Sequence, residues 1–322
     1  MDALHAHGVK TKILEINTDI DEEEYNNLKV VQTYGIYPFS FRRALEILKK
    51  DGKKIVYDTD DALDLIDPTN PFYYAVKRDS MSQTEVLHYA DHVTVATPTL
   101  KKYLEGKTDK PITVIPNMYD PNEWKFPRPK REGIRIGFAG SCTHVEDLLL
   151  VLPTFKKLQK SHNITFVLMG FGRGTYDDWF RDFSFTCPPE GLKVLKEFDS
   201  LIKEINLEWI QNFDFDLFPS QLINLSLDIG LCPLVDNGFN RARSASKAME
   251  YTLAGALALA SNSPAYTEDP TSTIVEDWDK ALTHFVENPQ EIAQFRDINL
   301  RWIEENRNIN NNIDLLKSVY VG

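Results

Sequence analysis

Short apolar runs of strand length alternate with amphipathic stretches along this chain, and the alternation stops once and then restarts. Such a pattern specifies parallel strands joined by crossover helices, because each strand and each helix then buries its apolar side against the other. In the first series the expected strands are Lys12–Ile16, Lys29–Thr33, Lys54–Tyr57, His92–Ala96 and Ile112–Ile115. The expected helices are Phe39–Lys50, with Phe41, Ala44, Leu45 and Leu48 on one face, Ser80–Ala90 and Thr99–Leu104. The interruption, Asn117–Gly133, is polar and punctuated by Pro121, Pro127 and Pro129, which reads as a linker. After it, strands are expected at Ile134–Ala139, Thr165–Met169, Leu207–Gln211, Asp228–Cys232 and Ala256–Ala260. Helices are expected at Val145–Lys160, Pro219–Leu225 and Ser244–Ala254, and from Asp277 to the end, while residues 171–206 show no usable period. The fold class is therefore α/β, in two successive parallel-sheet units.

The size agrees with this division: 322 residues make about two domains at roughly 150 residues each. The 36 Lys and Arg against 48 Asp and Glu leave a net charge of −12, which argues against nucleic acid as a partner. Cys142, Cys187 and Cys232 are too few and too scattered for a disulfide framework, and the composition suits a reducing compartment. The opening MDALHAHGVKTK lacks the apolar core of a signal peptide, and no apolar run reaches the ~18–20 residues of a membrane span. A cytoplasmic protein without a transmembrane segment is expected; peripheral membrane contact stays open.

Three strings carry chemistry. IVYDTDDAL, Ile55 to Leu63, places Asp58, Asp60 and Asp61 at the carboxyl edge of a parallel strand, where folds of this class bind ligands. It reads as a polar strand-to-helix turn, as the Asp-x-Asp of a phosphatase of the haloacid-dehalogenase type, or as a metal-binding Asp-x-Asp of a nucleotide-sugar enzyme. The phosphatase pattern wants Thr or Val where Ala62 stands. IRIGFAGSCTHVEDL, Ile134 to Leu148, opens a strand into Gly140 and Ser141 before a helix, so that backbone N–H groups can approach a phosphate. It has neither a G-x-G-x-x-G fingerprint nor a Gly-Lys-Ser/Thr ending. The third string, Leu227 to Ser261, runs from a strand through a polar loop (Asp236, Asn237, Gly238, Asn240) into a helix opening near Ser244. Arg241, Arg243, Ser244 and Lys247 stand at that helix start, a place for a diphosphate, and Glu250 follows Lys247 by one turn on the same face. A carboxylate there can accept two hydrogen bonds from a ribose diol. An exposed helix with a Lys–Glu pair is the plainer alternative.

Residues 228–261, with DIGLCPL, FNRARSASK, Glu250–Tyr251 and the apolar strand ending in Ser261, resemble the donor-binding segment of retaining glycosyltransferases of the GT-B fold, family 4 (glycosyltransferases group 1). GFAGS with His144 and Asp147, and DTDD followed by ADHVTVATPTLKKYL and VIPNMYD, are similar to other parts of the same family. The resemblance implies two Rossmann-like domains facing a cleft: an acceptor-side domain over residues 1–126 and a donor-binding domain with C-terminal helices over 127–322. The first domain is expected to lack its first β–α unit. The implied reaction moves a sugar from a nucleotide diphosphate sugar to a glycan or other sugar acceptor with retention, needing no metal and no cofactor besides the donor substrate. Gly140, Ser141, Asn240, Arg243, Ser244, Lys247 and Glu250 are the implied donor-binding residues, and Asp60 and Asp61 face the acceptor as catalytic candidates. The family's Glu-x₇-Glu motif is half present, because Ala242 occupies the position of the first glutamate. A degenerate, non-catalytic nucleotide- or sugar-binding protein is the alternative.

Overall fold

The computed structural model describes residues 4, 6–11, 22–34, 41–172, 177, 178, 180, 181, 187–211 and 217–321. Two parallel sheets organise them. The first has four strands in sequential order: β1 (Val30–Tyr34), β2 (Lys54–Thr59), β3 (His92–Val95) and β4 (Ile112–Val114). The second has six, β5 (Ile134–Ala139), β6 (Ile164–Met169), β7 (Leu207–Ile210), β8 (Ile229–Cys232), β9 (Leu257–Ser261) and β10 (Thr273–Val275), in the order β10-β9-β8-β5-β6-β7. Every pairing is parallel. A parallel sheet needs cover on both faces, and the strands supply it in sequence: Ile55, Val56 and Tyr57 of β2 are all buried, as are Ile229, Gly230, Leu231 and Cys232 of β8.

The six-strand order is that of the doubly wound dinucleotide-binding sheet. The strand order reverses between β5 and β8, which are neighbours at the centre. The crevice at their carboxyl ends is where such sheets take ligands. Two apolar clusters sandwich this sheet, one around Phe138, Phe155, Phe166 and Phe198, the other around Val167, Met169, Tyr251 and Ala258.

The helices largely fall where expected, with instructive differences. Helix α1 (Phe41–Lys50) buries Leu45 and half-buries Ala44 and Leu48 as the spacing predicts, but α2 (Tyr73–Tyr89) begins before Ser80, its start set by Asn70, whose side-chain oxygen accepts the N–H of Phe72 at 2.9 Å. Helix α3 is Pro98–Leu104. The single helix expected over Val145–Lys160 is instead α4 (Val145–Leu148) and α5 (Leu152–Leu158), because Pro153 has no N–H to continue a helix and stands in the first turn of α5. Within the segment that showed no period lies α6 (Pro189–Ile202), which buries Leu195, Phe198 and Ile202. Helices α7 (Phe218–Asn224), α8 (Gly238–Arg241) and α9 (Ser246–Leu253) flank β8, and β10 was not expected at all. The strand expected over Lys12–Ile16 lies outside the described residues.

The last helices are α10 (Pro264–Thr267), α11 (Trp278–Glu287), α12 (Ile292–Asn306) and α13 (Ile313–Tyr320). The final one turns back to the first sheet: Lys54 donates to the carbonyl of Val319 at 2.9 Å, and the Tyr320 hydroxyl lies 3.5 Å from that of Thr94. Among the described residues, no helix is long and apolar enough to cross a membrane.

Candidate active site

At the switch point, β5 ends at Ala139 and the chain turns through Gly140 and Ser141. Lys247, in the first turn of α9, reaches across from the β8 side and donates to the carbonyl of Ala139 at 2.6 Å. Its ammonium lies 4.5 Å above the Phe138 ring. A Cβ at position 140 would meet that ammonium, the movable end of the lysine, so glycine leaves room for the lysine to reach the strand end. Beneath them, Tyr251 receives the Ala139 N–H on its hydroxyl at 2.5 Å. Burial lowers the Lys247 pKa, opposed by the charge of Glu250 one turn deeper.

The start of α9 has Ala245 at its N-cap and no side chain capping it. Helix N-termini ordinarily carry Ser, Thr, Asp or Asn to satisfy their free N–H groups, and one left uncapped beside a lysine is suited to an anion. Arg243 precedes the helix; its guanidinium stacks 5.3 Å over the Phe239 ring and lies 3.8 Å from Asp61 of the first unit. Asp61 and Asp147 raise the Arg243 pKa against the opposing effect of burial. Ser244 accepts a hydrogen bond from Asn117 at 2.8 Å, which ties the helix start to the segment between the sheets. Glu250 is half-buried, burial lifts its carboxyl to about 7, and it makes no hydrogen bond to the described residues.

Gly140, Ser141, Arg243, Ser244, Lys247 and Glu250 thus line one region, and Asp61 faces it from across the cleft. Two residues lie elsewhere. Asn240 is only 4% exposed, and its amide donates to Asp147 Oδ1 and the Val235 carbonyl, both at 2.9 Å. It stands behind the site, fixing the loop, with its N–H groups occupied. Arg241 forms a two-point ion pair with Asp236 at 2.6 and 2.7 Å in solvent, so the cationic cluster is Arg243 with Lys247 and not all three. The residues underrated in the sequence are His144 and Asp147, both buried, whose side chains join at 2.7 Å. Their spacing of three on a helix start was the available signal.

Solved structures share this architecture. HepE from Anabaena, solved with UDP and glucose, is 12% identical, with a TM-score of 0.63 over 92% of this chain and 79% of that one. A UDP-forming α,α-trehalose-phosphate synthase from Burkholderia xenovorans, solved with glucose-6-phosphate, is 13% identical, with a TM-score of 0.61 over 92% and 74%. The fold is GT-B. No family model matches the chain, and no curated protein matches it in sequence.

Several contacts span the cleft of this GT-B molecule. Asn70 donates to the Thr143 carbonyl at 2.9 Å, Thr69 to Glu146 at 2.8 Å, and Thr97 to the Ala242 carbonyl at 3.3 Å. Ala242 itself is 2% exposed and packs into the apolar cluster of the four-stranded sheet, a place where a lone glutamate would pay heavily for burial. Asp58, the nucleophile of the phosphatase alternative, lies inside β2; its oxygens receive Thr94 at 2.5 Å and Gln32 at 3.3 Å, and burial raises its pKa. Hydrogen-bonded within the sheet in this way, it is poorly placed to attack a phosphate.

Proposed function

We propose that this chain transfers a sugar from a nucleoside-diphosphate sugar to a sugar-bearing acceptor, with retention of anomeric configuration and without a metal ion. The observation that carries the reading is the uncapped start of α9 beside Lys247, whose ammonium is held at the end of β5 at the switch point. Lys247, Arg243 and the N–H groups around Gly140 and Ser141 would hold the diphosphate. Negative charge grows on its leaving oxygen as the glycosidic bond breaks, and fixed positive groups stabilise that change. Those same groups supply the charge compensation a metal would otherwise give. Glu250, with no hydrogen bond to the described residues, is free to accept the two ribose hydroxyls. Asp61 and Asp60 face the acceptor, Asp61 exchanging its contact with Arg243 for the incoming hydroxyl. That HepE was solved with UDP, and that the trehalose-phosphate synthases are UDP-forming, supports a nucleoside diphosphate as the shared currency. Retention rests on the likeness of residues 228–261 to retaining enzymes.

The alanine at position 242 favours a second reading, a nucleotide-sugar binder without turnover. Incubation with UDP-, GDP- and ADP-sugars and a panel of sugar acceptors, with chelator present, separates the two. The transferase reading expects nucleoside diphosphate release from one donor class, undiminished by chelator, and a product whose anomeric proton coupling matches that of the donor. Binding without release for every donor establishes the binder, and an inverted product removes retention.

A further inference from the structure

His144 is 3% exposed, and among the described residues only one of its ring nitrogens has a partner. Nδ1 lies 2.7 Å from Asp147 Oδ2. The other oxygen of that carboxylate, itself 4% exposed, receives the Val235 N–H at 2.7 Å and the Asn240 amide at 2.9 Å. With Asp147 ionised, Oδ2 takes a third donor, the Nδ1–H of His144, and Nε2 then presents a lone pair. Nε2 has no hydrogen-bond partner among the described residues.

The surroundings of the His144 ring are cationic. The His144 ring packs 5.2 Å from the Phe138 ring, over which the Lys247 ammonium also lies, at 4.5 Å. Burial, then the charges of Arg243 and Lys247, hold His144 well below its usual pKa, while burial lifts Asp147 to about 7. Glu146 stands beside Asp147, and Glu250 beside Lys247. A side chain this deeply buried, with an unused lone pair aligned by a dedicated carboxylate, is poised to gain a proton once an anion offsets the two cations.

We propose that His144 is a further diphosphate-binding residue: donor binding places a diphosphate against Arg243 and Lys247, one proton passes from solvent to His144 Nε2, and the new N–H donates to a phosphate oxygen. Asp147 acts as the positioning residue, keeping its bond to Nδ1–H throughout and stabilising the imidazolium. The inference rests on the transferase reading of the same site and deepens it, since it makes donor binding proton-linked.

Titration calorimetry at pH 7.5 in buffers of different ionisation enthalpy tests it, with UDP-, GDP- and ADP-glucose as probes, since a diphosphate diester does not itself titrate near neutrality. The wild type is expected to take up close to one proton per donor bound. His144→Gln keeps an N–H donor but cannot become charged; it should lose that uptake and bind about tenfold more weakly, as a charge-assisted hydrogen bond becomes a neutral one. A wild type that binds donor without proton uptake, or a folded His144→Gln with unchanged affinity and uptake, overturns the proposal and leaves the transferase reading intact. Inorganic pyrophosphate is the second probe. Binding of pyrophosphate that weakens tenfold in His144→Gln, with no nucleotide sugar bound, keeps the His144 site and removes the transferase reading. If the wild type binds neither probe, both fall.

Discussion

Replacing Lys247 with alanine is expected to lower nucleotide-sugar turnover about a hundred- to a thousandfold, the usual cost of losing a fixed group that stabilises transition-state charge. The ammonium is the cation nearest the end of β5, held by the Ala139 carbonyl at 2.6 Å and by the face of Phe138. Burial makes its charge costly, and a residue kept charged against that cost has its largest effect when a diphosphate supplies the counter-charge. The loss should appear mainly in kcat, because charge on the leaving diphosphate is greatest as the bond breaks. The fold should survive, since Tyr251 still bonds Ala139 and the strands around it remain packed. Steady-state kinetics alongside a thermal unfolding curve check this. Turnover like that of the wild type would remove Lys247 from the site.

Gly230→Val is expected to destabilise the protein by about 3 kcal/mol, the upper part of the usual range for overpacking. Gly230 lies in β8, paired with Gly137 of β5 and Ala258 of β9, at the centre of the six-stranded sheet. A Cβ there would meet the Cβ and ring of Tyr251, the base of the side chain and not its flexible end. The ring cannot swing aside without breaking its hydroxyl's bond to the Ala139 N–H, and at 1% exposure it has no space to enter. The expected fall in unfolding midpoint is roughly 6–12 °C for a domain of this size. Donor affinity should fall with it, since the displaced tyrosine shares Ala139 with Lys247. A midpoint within a degree of the wild type would show that the Tyr251 ring can yield to the new side chain.

Much of this was legible in the sequence because parallel strands buried on both faces leave unbroken apolar runs. Ile134–Ala139 was read to the residue, and the β8 and β9 strands to within one. Lys247 and Glu250 were legible for a different reason: a separation of three places them on one helix face whatever the rest of the chain does. What escaped depends on contacts no local period encodes. Arg241 and Arg243 look equivalent in the sequence, yet one pairs with Asp236 in solvent and the other turns inward to Phe239 and Asp61. Asn240 is a donor-binding residue only by the family resemblance; its amide is consumed by Asp147, ninety-odd residues earlier in the chain, and by the Val235 carbonyl. The acidic total of −12 likewise hid a small cationic site. Helix α6 opens on the second of two consecutive prolines, Pro188 and Pro189, and its apolar positions are mixed with acids, which masked the helical period.

The central claim is that a nucleoside diphosphate binds at the β5–β8 switch point, and one titration tests it most directly. UDP, GDP and ADP, each beside its parent nucleoside, are added to the wild type and to Lys247→Ala and Glu250→Ala while the unfolding midpoint is followed. One diphosphate should raise the wild-type midpoint, its nucleoside should do so far less, and both variants should lose most of the rise, since a ligand stabilises only through the state it binds. A wild type unmoved by all three diphosphates, or one whose shift persists undiminished in both variants, would contradict the account.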